Sequence, residues 1–178
     1  MQKISAAELL RAYANGQREF RGVDLRQADL FECNLQDIDL QGSDLSGAYL
    51  AYANLSRANL QHAVLQGIEL SNSRIQSANL TRAILHLANL SRATLSYSKL
   101  HHADLTSATC QTTDFRYADL SHANLSMANL TQANLERSQL NGTNLCGSCL
   151  FRAQGVDLSS AIYDDRTIFP SGYREGGQ

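Results

Sequence analysis

An apolar residue recurs at every fifth position over most of this sequence. From residue 20 to residue 150, all 27 such positions are apolar, and leucine occupies 23 of them. The four exceptions are Phe20, Ile75, Cys110 and Phe115. Two positions earlier, 23 of the 27 residues are Ala, Ser, Thr or Cys, and the residue directly before each centre is most often Asn or Asp. Self-similarity at a fixed period predicts a repeat structure throughout this region.

A period of five residues fits neither common secondary structure. On an α-helix, residues five apart are rotated by about 500°, so the leucines would spread around every side. On a flat strand, an odd period places successive leucines on opposite faces. The chain must therefore turn within each unit, and four units with corners of about 90° close a square coil of 20 residues. A small residue is needed beside each leucine because two side chains per face share a narrow interior.

Several five-residue runs resemble a known motif. The runs ANLSR at 53–57, ANLTR at 78–82 and ADLSH at 118–122 are similar to the A-(D/N)-L-x-x motif of the pentapeptide-repeat family. The resemblance implies an all-β solenoid, a right-handed quadrilateral parallel β-helix of about seven to eight coils. We expect the β-helix to span residues 18–163. A capping helix would precede it in residues 1–17, and a capping segment with a loose tail would follow in residues 164–178.

Both ends of the chain carry signals for caps. Ser5 followed by Glu8 forms a capping box, and Gly16 suits a helix C-terminus, so we expect a helix over about 5–15. This opening segment resembles that of many cyanobacterial members of the family. After residue 150 the repeat loses its register and resumes three residues later, around Leu158 and Tyr163. A loop or changed corner is therefore predicted there.

Composition narrows the classes of function. The formal net charge is −2, which favours neither a nucleic-acid binder nor a mimic of a polyanion. The sequence shows no secretory signal and no apolar stretch long enough for a membrane helix. Its four cysteines do not form the pattern of a secreted disulfide framework. We expect a cytoplasmic protein that is a monomer or a weak homodimer and has a protein partner, with no nucleic acid and no membrane.

Residues 20 apart should stack, so the sequence can be converted into columns of surface side chains. One column has Val64 and then Ile84 where Asn or Asp is usual, and Leu87 lies on the same face. Contiguous exposed apolar area often marks a contact site, although aliphatic side chains also suit β-stacking. The three residues are our first candidate for an interaction surface.

Two further groups are secondary candidates. An aromatic group contains Phe31, Tyr49 and Tyr52, and a corner column contains His62, His102 and His122. Tyrosine is enriched in interface hot spots, but aromatic rings also stack on their neighbours in a ladder. Imidazoles one coil apart could bind a metal or an anion or sense pH, whereas Arg82 within that column argues against a metal.

Catalysis has no recognisable constellation in the sequence. We find no phosphate-binding glycine loop, no metalloprotease motif and no nucleophile elbow, and we expect no cofactor. Cys146 and Cys149 form a lone C-x-x-C without a second pair of ligands. The sequence favours a non-catalytic interaction scaffold. The family resemblance adds one candidate role, that of a cyanobacterial relative that regulates heterocyst differentiation.

The alternative function is a DNA mimic that binds DNA gyrase, as quinolone-resistance members of the family do. Charge argues against it, because residues 46–156 contain five acidic and eight basic residues. A surface that imitates phosphates should be acidic along its length. A spacer without any partner also remains open at the level of sequence.

Overall fold

The computed structural model describes residues 1–174 and shows a right-handed quadrilateral parallel β-helix. Single-residue parallel bridges join positions 20 apart along each face, for example Asp24 to Asp44 and Glu69 to Asn89. One face contains eight stacked levels, from Asp24 to Ile162. At about 4.8 Å per level, these levels and the N-terminal strand below them extend about 38 Å. The predicted fold is confirmed.

The interior is a stack of leucines with small residues beside them. All 27 centre positions from Phe20 to Leu150 are at most 5% exposed. The small positions are also mostly buried, and two of them hold isoleucine. One of these, Ile68, lies one coil above Ala48 and one coil below Ala88, so its larger side chain has a small neighbour on each side. The interior thus accepts an occasional large residue where the adjacent levels stay small.

Backbone hydrogen bonds join each coil to the next. On the face of Leu25, the Leu25 amide donates to the Asp44 carbonyl at 2.8 Å. The Asp44 amide in turn donates to the Val23 carbonyl at 2.9 Å, and the Gln27 amide donates to Ser46 at 3.1 Å. This pattern of about three bonds per face repeats through the solenoid, so most backbone donors find an acceptor one coil away.

The corners are tight turns with a left-handed residue. The Ala28 amide donates to the Leu25 carbonyl at 3.0 Å, which closes a four-residue turn. Its second central residue, Gln27, has a φ of 59°, as in a type II turn. The same corner position is left-handed in 21 non-glycine residues, with φ between 55° and 62°. These side chains stand on the outside of the corners and are mostly exposed.

The Asn and Asp residues before the leucines stabilise the corners. A side-chain oxygen of this residue accepts the backbone amide two positions later, at 2.9 Å from Ser46 to Asp44 and at 3.1 Å from Ser91 to Asn89. Such Asx hydrogen bonds hold the chain where it leaves the face and enters the turn. The Asn and Asp residues at this position therefore have a structural role at the corners.

A helix and a short strand close the N-terminal end. Strand β1, Gln2–Lys3, pairs in parallel with strand β2, Val23–Asp24, on the first coil. Helix α1, Ala6–Ala14, lies between them, capped by Ser5 with the predicted capping box to Glu8. Leu9 of α1 is fully buried against the core of the solenoid. The pairing of β1 was not predicted from the sequence.

The C-terminal coil is shorter than the others. Asn144 pairs with Ile162 and Cys149 with Ile168, at separations of 18 and 19 residues instead of 20. The predicted change of register is therefore present, and backbone pairing continues to Pro170, whose carbonyl accepts the Arg152 amide at 2.9 Å. The predicted loose tail beyond residue 174 lies outside the described residues. Among residues 1–174, no helix has the length and apolar character to cross a bilayer.

Candidate interaction surface

The outside of the solenoid consists of columns of side chains spaced by one coil. On each face, the residue before the leucine forms an outward column, and the two residues after the leucine form the next corner. We call one of the four faces the patch face. Its outward column contains, from the N-terminal end, Asp24, Asp44, Val64, Ile84, Asp104, Asn124, Asn144 and Ile162.

The first candidate group lies together on the patch face. Val64 and Ile84 are bridged directly to each other and are flanked by Asp44 below and Asp104 above. Ile84 is 41% exposed, whereas Val64 is half-buried. Leu87, at the following corner, has a φ of 59° and is 56% exposed. We call these three residues the aliphatic patch.

The aliphatic patch lacks the local hydrogen bonds of its column. At the neighbouring levels, Asp44 accepts the Ser46 amide and Asp104 accepts the Thr106 amide, both through a carboxylate oxygen. Valine and isoleucine have no acceptor with which to do this. Val64 and Ile84 therefore occupy a position where the levels directly below and above them use a polar side chain to hold the corner.

Histidine residues border the patch face on both sides. The corner before the face carries four of them together with Arg82, and the corner after the face carries His86. In order along the chain they are His62, His86, His101, His102 and His122. Stacking residues 20 apart in the sequence predicted a histidine column at the first corner. It did not predict that His86 lies at the opposite corner of the same face. Its Nδ1 lies 3.0 Å from the Thr106 carbonyl oxygen.

Three of these imidazoles are in mutual contact. The ring centroids of His101 and His102 are 4.1 Å apart, and those of His102 and His122 are 5.2 Å apart. Desolvation lowers the pKa of His102 from its ordinary value, and the nearby His101, His122 and Arg82 lower it further. His62 is separated from this group by the level of Arg82, so only two of the three predicted column histidines come together.

The aromatic candidates form a small stack on the next face. Phe31 and Tyr49 lie parallel with ring centroids 5.5 Å apart, and Tyr52 meets Phe31 edge-on at 5.8 Å. All three are exposed. Tyr97 and Tyr117 form a second stacked pair at 4.8 Å, one coil apart. Because each ring is partnered by another ring, these groups stabilise their own ladders.

The cysteine pair does not form a ligand set. Cys146 and Cys149 are free thiols, the first in a corner and the second on the face that follows it, and Ser148 between them is buried. Cys149 Sγ lies 3.5 Å from Thr131 Oγ1. Within residues 1–174, no group of three or more His, Cys, Asp or Glu side chains is arranged to hold a metal ion.

A family model for pentapeptide repeats matches the chain in eight copies. The matched segments are 18–47, 38–76, 53–89, 73–109 and 113–150, which cover more than half of the chain. The chain belongs to the pentapeptide-repeat family. The five-residue units of that family are therefore the units whose outward positions form the columns described above.

Solved structures of other pentapeptide-repeat proteins are similar to this chain. HetL, involved in heterocyst differentiation regulation in the cyanobacterium Nostoc sp. strain PCC 7120, is 28% identical, with 96% of this chain and 99% of HetL covered and a TM-score of 0.30. A protein from the thylakoid lumen of Arabidopsis thaliana is 24% identical over 66% of this chain and 71% of its own, with a TM-score of 0.42. A trypsin-treated variant of QnrB1, a plasmid-mediated fluoroquinolone resistance protein, is 18% identical over 92% and 88%, with a TM-score of 0.37. No curated protein matches the chain significantly.

Proposed function

We propose that this pentapeptide-repeat chain is a non-catalytic interaction scaffold in the cytoplasm that binds a protein partner through the aliphatic patch. The observation that carries the proposal is the pairing of Val64 with Ile84 on adjacent coils, in a column that is polar at the levels directly above and below. Leu87 extends the apolar area across the next corner. The rigid coil stack presents the three side chains without further ordering, which reduces the entropic cost of binding.

Folding alone gives little reason for the patch. A cross-strand aliphatic pair contributes about 0.2–1 kcal/mol. A local hydrogen bond of the kind that Val64 and Ile84 give up contributes about 0.5–1.5 kcal/mol. Full burial of Ile or Leu is worth about 1.5–3 kcal/mol, and roughly half of each side chain of Ile84 and Leu87 is still exposed. A partner would therefore gain about 0.7–1.5 kcal/mol from each of these two residues.

The surroundings of the patch define the chemistry of the partner. Arg82 lies two residues before Ile84, at the corner that borders the patch face. In the part of the chain that the structure describes, Arg82 forms no ion pair, unlike Arg26, Arg57 and Arg116. A protein surface with a few apolar side chains and a carboxylate opposite Arg82 would complement this face.

Gyrase binding by DNA mimicry is the alternative, and the charge of the body disfavours it. The acidic residues are concentrated in residues 1–45, which hold eight acids and five bases, whereas residues 46–156 have three more bases than acids. An acidic surface over the first two coils alone covers a small part of the solenoid. We therefore favour a partner that contacts the aliphatic patch over a target that recognises a polyanion.

The proposal is tested by affinity capture from a lysate of the native organism, with the Val64→Thr, Ile84→Thr, Leu87→Ser variant as the probe. Threonine already occupies the outward position at Thr94 and Thr109, and serine occupies the left-handed corner position at Ser107. The variant should therefore fold. We expect wild type to capture a partner that this variant loses.

Met127→Ser is the matched control. Met127 lies two coils beyond Leu87 in the same corner column, with a φ of 60° and 57% exposure against 56% for Leu87. It should retain the partner that the patch variant loses. If the patch variant captures the same proteins as wild type, the interface lies elsewhere, and the group of Phe31, Tyr49 and Tyr52 is the next surface to test.

A further inference from the structure

The corner that contains His101, His102 and His122 concentrates groups that can carry positive charge. His101 and His122 meet edge-on at 5.5 Å between ring centroids, and His102 contacts both rings. Arg82 stands one level below His102 in the same corner column and influences its ionisation. Protonated imidazoles and a guanidinium at this spacing repel one another unless an anion lies between them.

Residues 1–174 of the protein do not supply that anion. The charged residues of the adjacent columns are Lys99 and Asp119 on the face before the corner, and Asp104 on the patch face after it. Asp119 accepts the Ser121 amide at 3.0 Å, and Asp104 accepts both the Thr106 amide and the Thr106 hydroxyl. Within residues 1–174, neither carboxylate forms an ion pair with an imidazole of the cluster or with Arg82.

One nitrogen of the cluster is buried without a partner. His101 Nδ1 is shielded from solvent and accepts or donates no hydrogen bond to any protein group within the described residues 1–174. A buried polar atom in this state costs free energy. Directly above the cluster, Gly142 leaves room for His122, because a Cβ at position 142 would lie only 2.7 Å from His122 Nδ1. The ring of His122 therefore rests over the backbone of the next coil.

From this geometry we infer that Arg82, His101, His102 and His122 form a binding site for a phosphate group. In a protonated imidazole both ring nitrogens are N–H donors, and the guanidinium of Arg82 is a donor throughout. Neither group then has an acceptor that would repel an oxyanion. Three imidazoles and one arginine offer more donors than a carboxylate can accept, whereas a tetrahedral phosphate can accept bonds on several sides. A metal ion fits less well, because Arg82 would repel it and the imidazoles are not arranged around a common point.

The site should bind more tightly as the pH falls through the range in which histidine titrates. The free cluster disfavours protonation of His102, whose pKa is lowered. A bound phosphate group would reverse this effect, since it stabilises the protonated ring. By linkage, each tenfold preference of the anion for the protonated form raises the titration midpoint by about one pH unit. The site shares Arg82 with the surface proposed for the protein partner, but it includes no residue of the aliphatic patch. The patch variant therefore leaves all four residues of the site in place, and either proposal can fail alone.

The test is a titration of the histidine ring signals by NMR between pH 5 and 8.5, in sodium chloride and in sodium sulfate at equal ionic strength. Sulfate serves as a tetrahedral oxyanion whose charge does not change in this range. We expect the midpoint of His102 to rise in sulfate by about one pH unit, with His101 and His122 signals moving in the same titration. His86, at the other edge of the patch face, is the internal control and should not respond.

Arg82→Gln is the matched variant, because Gln27 and Gln132 occupy the same left-handed corner position and show that glutamine is accepted there. It should reduce the sulfate-dependent rise of His102 at least several-fold. Equal responses of all five histidines, or no response of His102, would overturn the site. Inorganic phosphate and a short phosphoserine peptide, compared at pH 6, then distinguish a free anion from a phosphorylated partner by which one binds more tightly.

Discussion

The narrow interior predicts that the same substitution, alanine to isoleucine, will destabilise the solenoid at one of two equivalent alanines and be tolerated at the other. Ala88 and Ala128 occupy the same inward column, and both are buried. Their vertical neighbours differ. Ala88 stands directly above Ile68, whereas Ala128 stands between Ala108 and Ser148. We expect Ala88→Ile to destabilise the solenoid and Ala128→Ile to be tolerated.

The expected magnitude follows from the environment of Ile68. That isoleucine is fully buried between two alanines, Ala48 and Ala88, whose small side chains leave the space it fills. Ala128→Ile recreates this arrangement, but Ala88→Ile places two isoleucines on adjacent levels about 4.8 Å apart. Overpacking of this kind costs about 1–3 kcal/mol. For a chain of this length each kcal/mol lowers the melting temperature by about 2–4 °C, so Ala88→Ile should lower it by about 2–12 °C.

Thermal unfolding followed by circular dichroism measures the difference directly. Wild type, Ala88→Ile and Ala128→Ile are compared at equal concentration, and Ala128→Ile should melt within about 2 °C of wild type. Equal losses in both variants would mean that lateral leucines, not vertical neighbours, limit the space. Equal tolerance of both variants would refute the conclusion that the interior is narrow at these levels.

Two further predictions concern the surface charge and a buried thiol. The purified protein should leave DNA supercoiling by gyrase unchanged and give no protection from quinolones, because residues 46–156 are net basic. Inhibition at micromolar protein in a supercoiling assay would show that the acidic residues of the first coils are sufficient for gyrase binding. Burial raises the pKa of the Cys110 thiol to about 12, so iodoacetamide at pH 8 should label Cys110 only after unfolding. Mass spectrometry of native and denatured samples checks this, and rapid native labelling would show that the coil opens locally.

The fold was predictable because it is determined mainly by the burial of one set of side chains at a fixed period. Every centre position from Phe20 to Leu150 lies in the core, as the spacing requires. The left-handed corner was not predicted, although glycines such as Gly22 and Gly42 at that position were a signal for positive φ. The pairing of β1 could not be predicted from the sequence either, because Gln2 and Lys3 are exposed and show no alternating pattern. The strand pairs with the free edge of the first coil, which only the fold reveals.

Columns were predictable, but their relation across a corner was not. A spacing of 20 residues places Val64 below Ile84 and His102 below His122 without any knowledge of the turn. Whether two different columns border the same face depends on the geometry of the corner. That geometry places His86 and Arg82 on opposite sides of the aliphatic patch, and it sets His101 in contact with both His102 and His122. The extent of exposure also required the structure, because Val64 is half-buried between its neighbours while Leu87 is not.

The direction of the hydrogen bonds has a mechanical consequence. The bonds between coils, such as that from the Leu25 amide to the Asp44 carbonyl, run along the axis of the solenoid. Tension applied to the two ends of the chain would load one terminal coil at a time, so the bonds would rupture in sequence and not together. Each rupture of a full coil would release about 20 residues, or about 66–72 Å of extended chain. Under load, the 20-residue coils would therefore lengthen the molecule in equal steps, each corresponding to one turn of the β-helix.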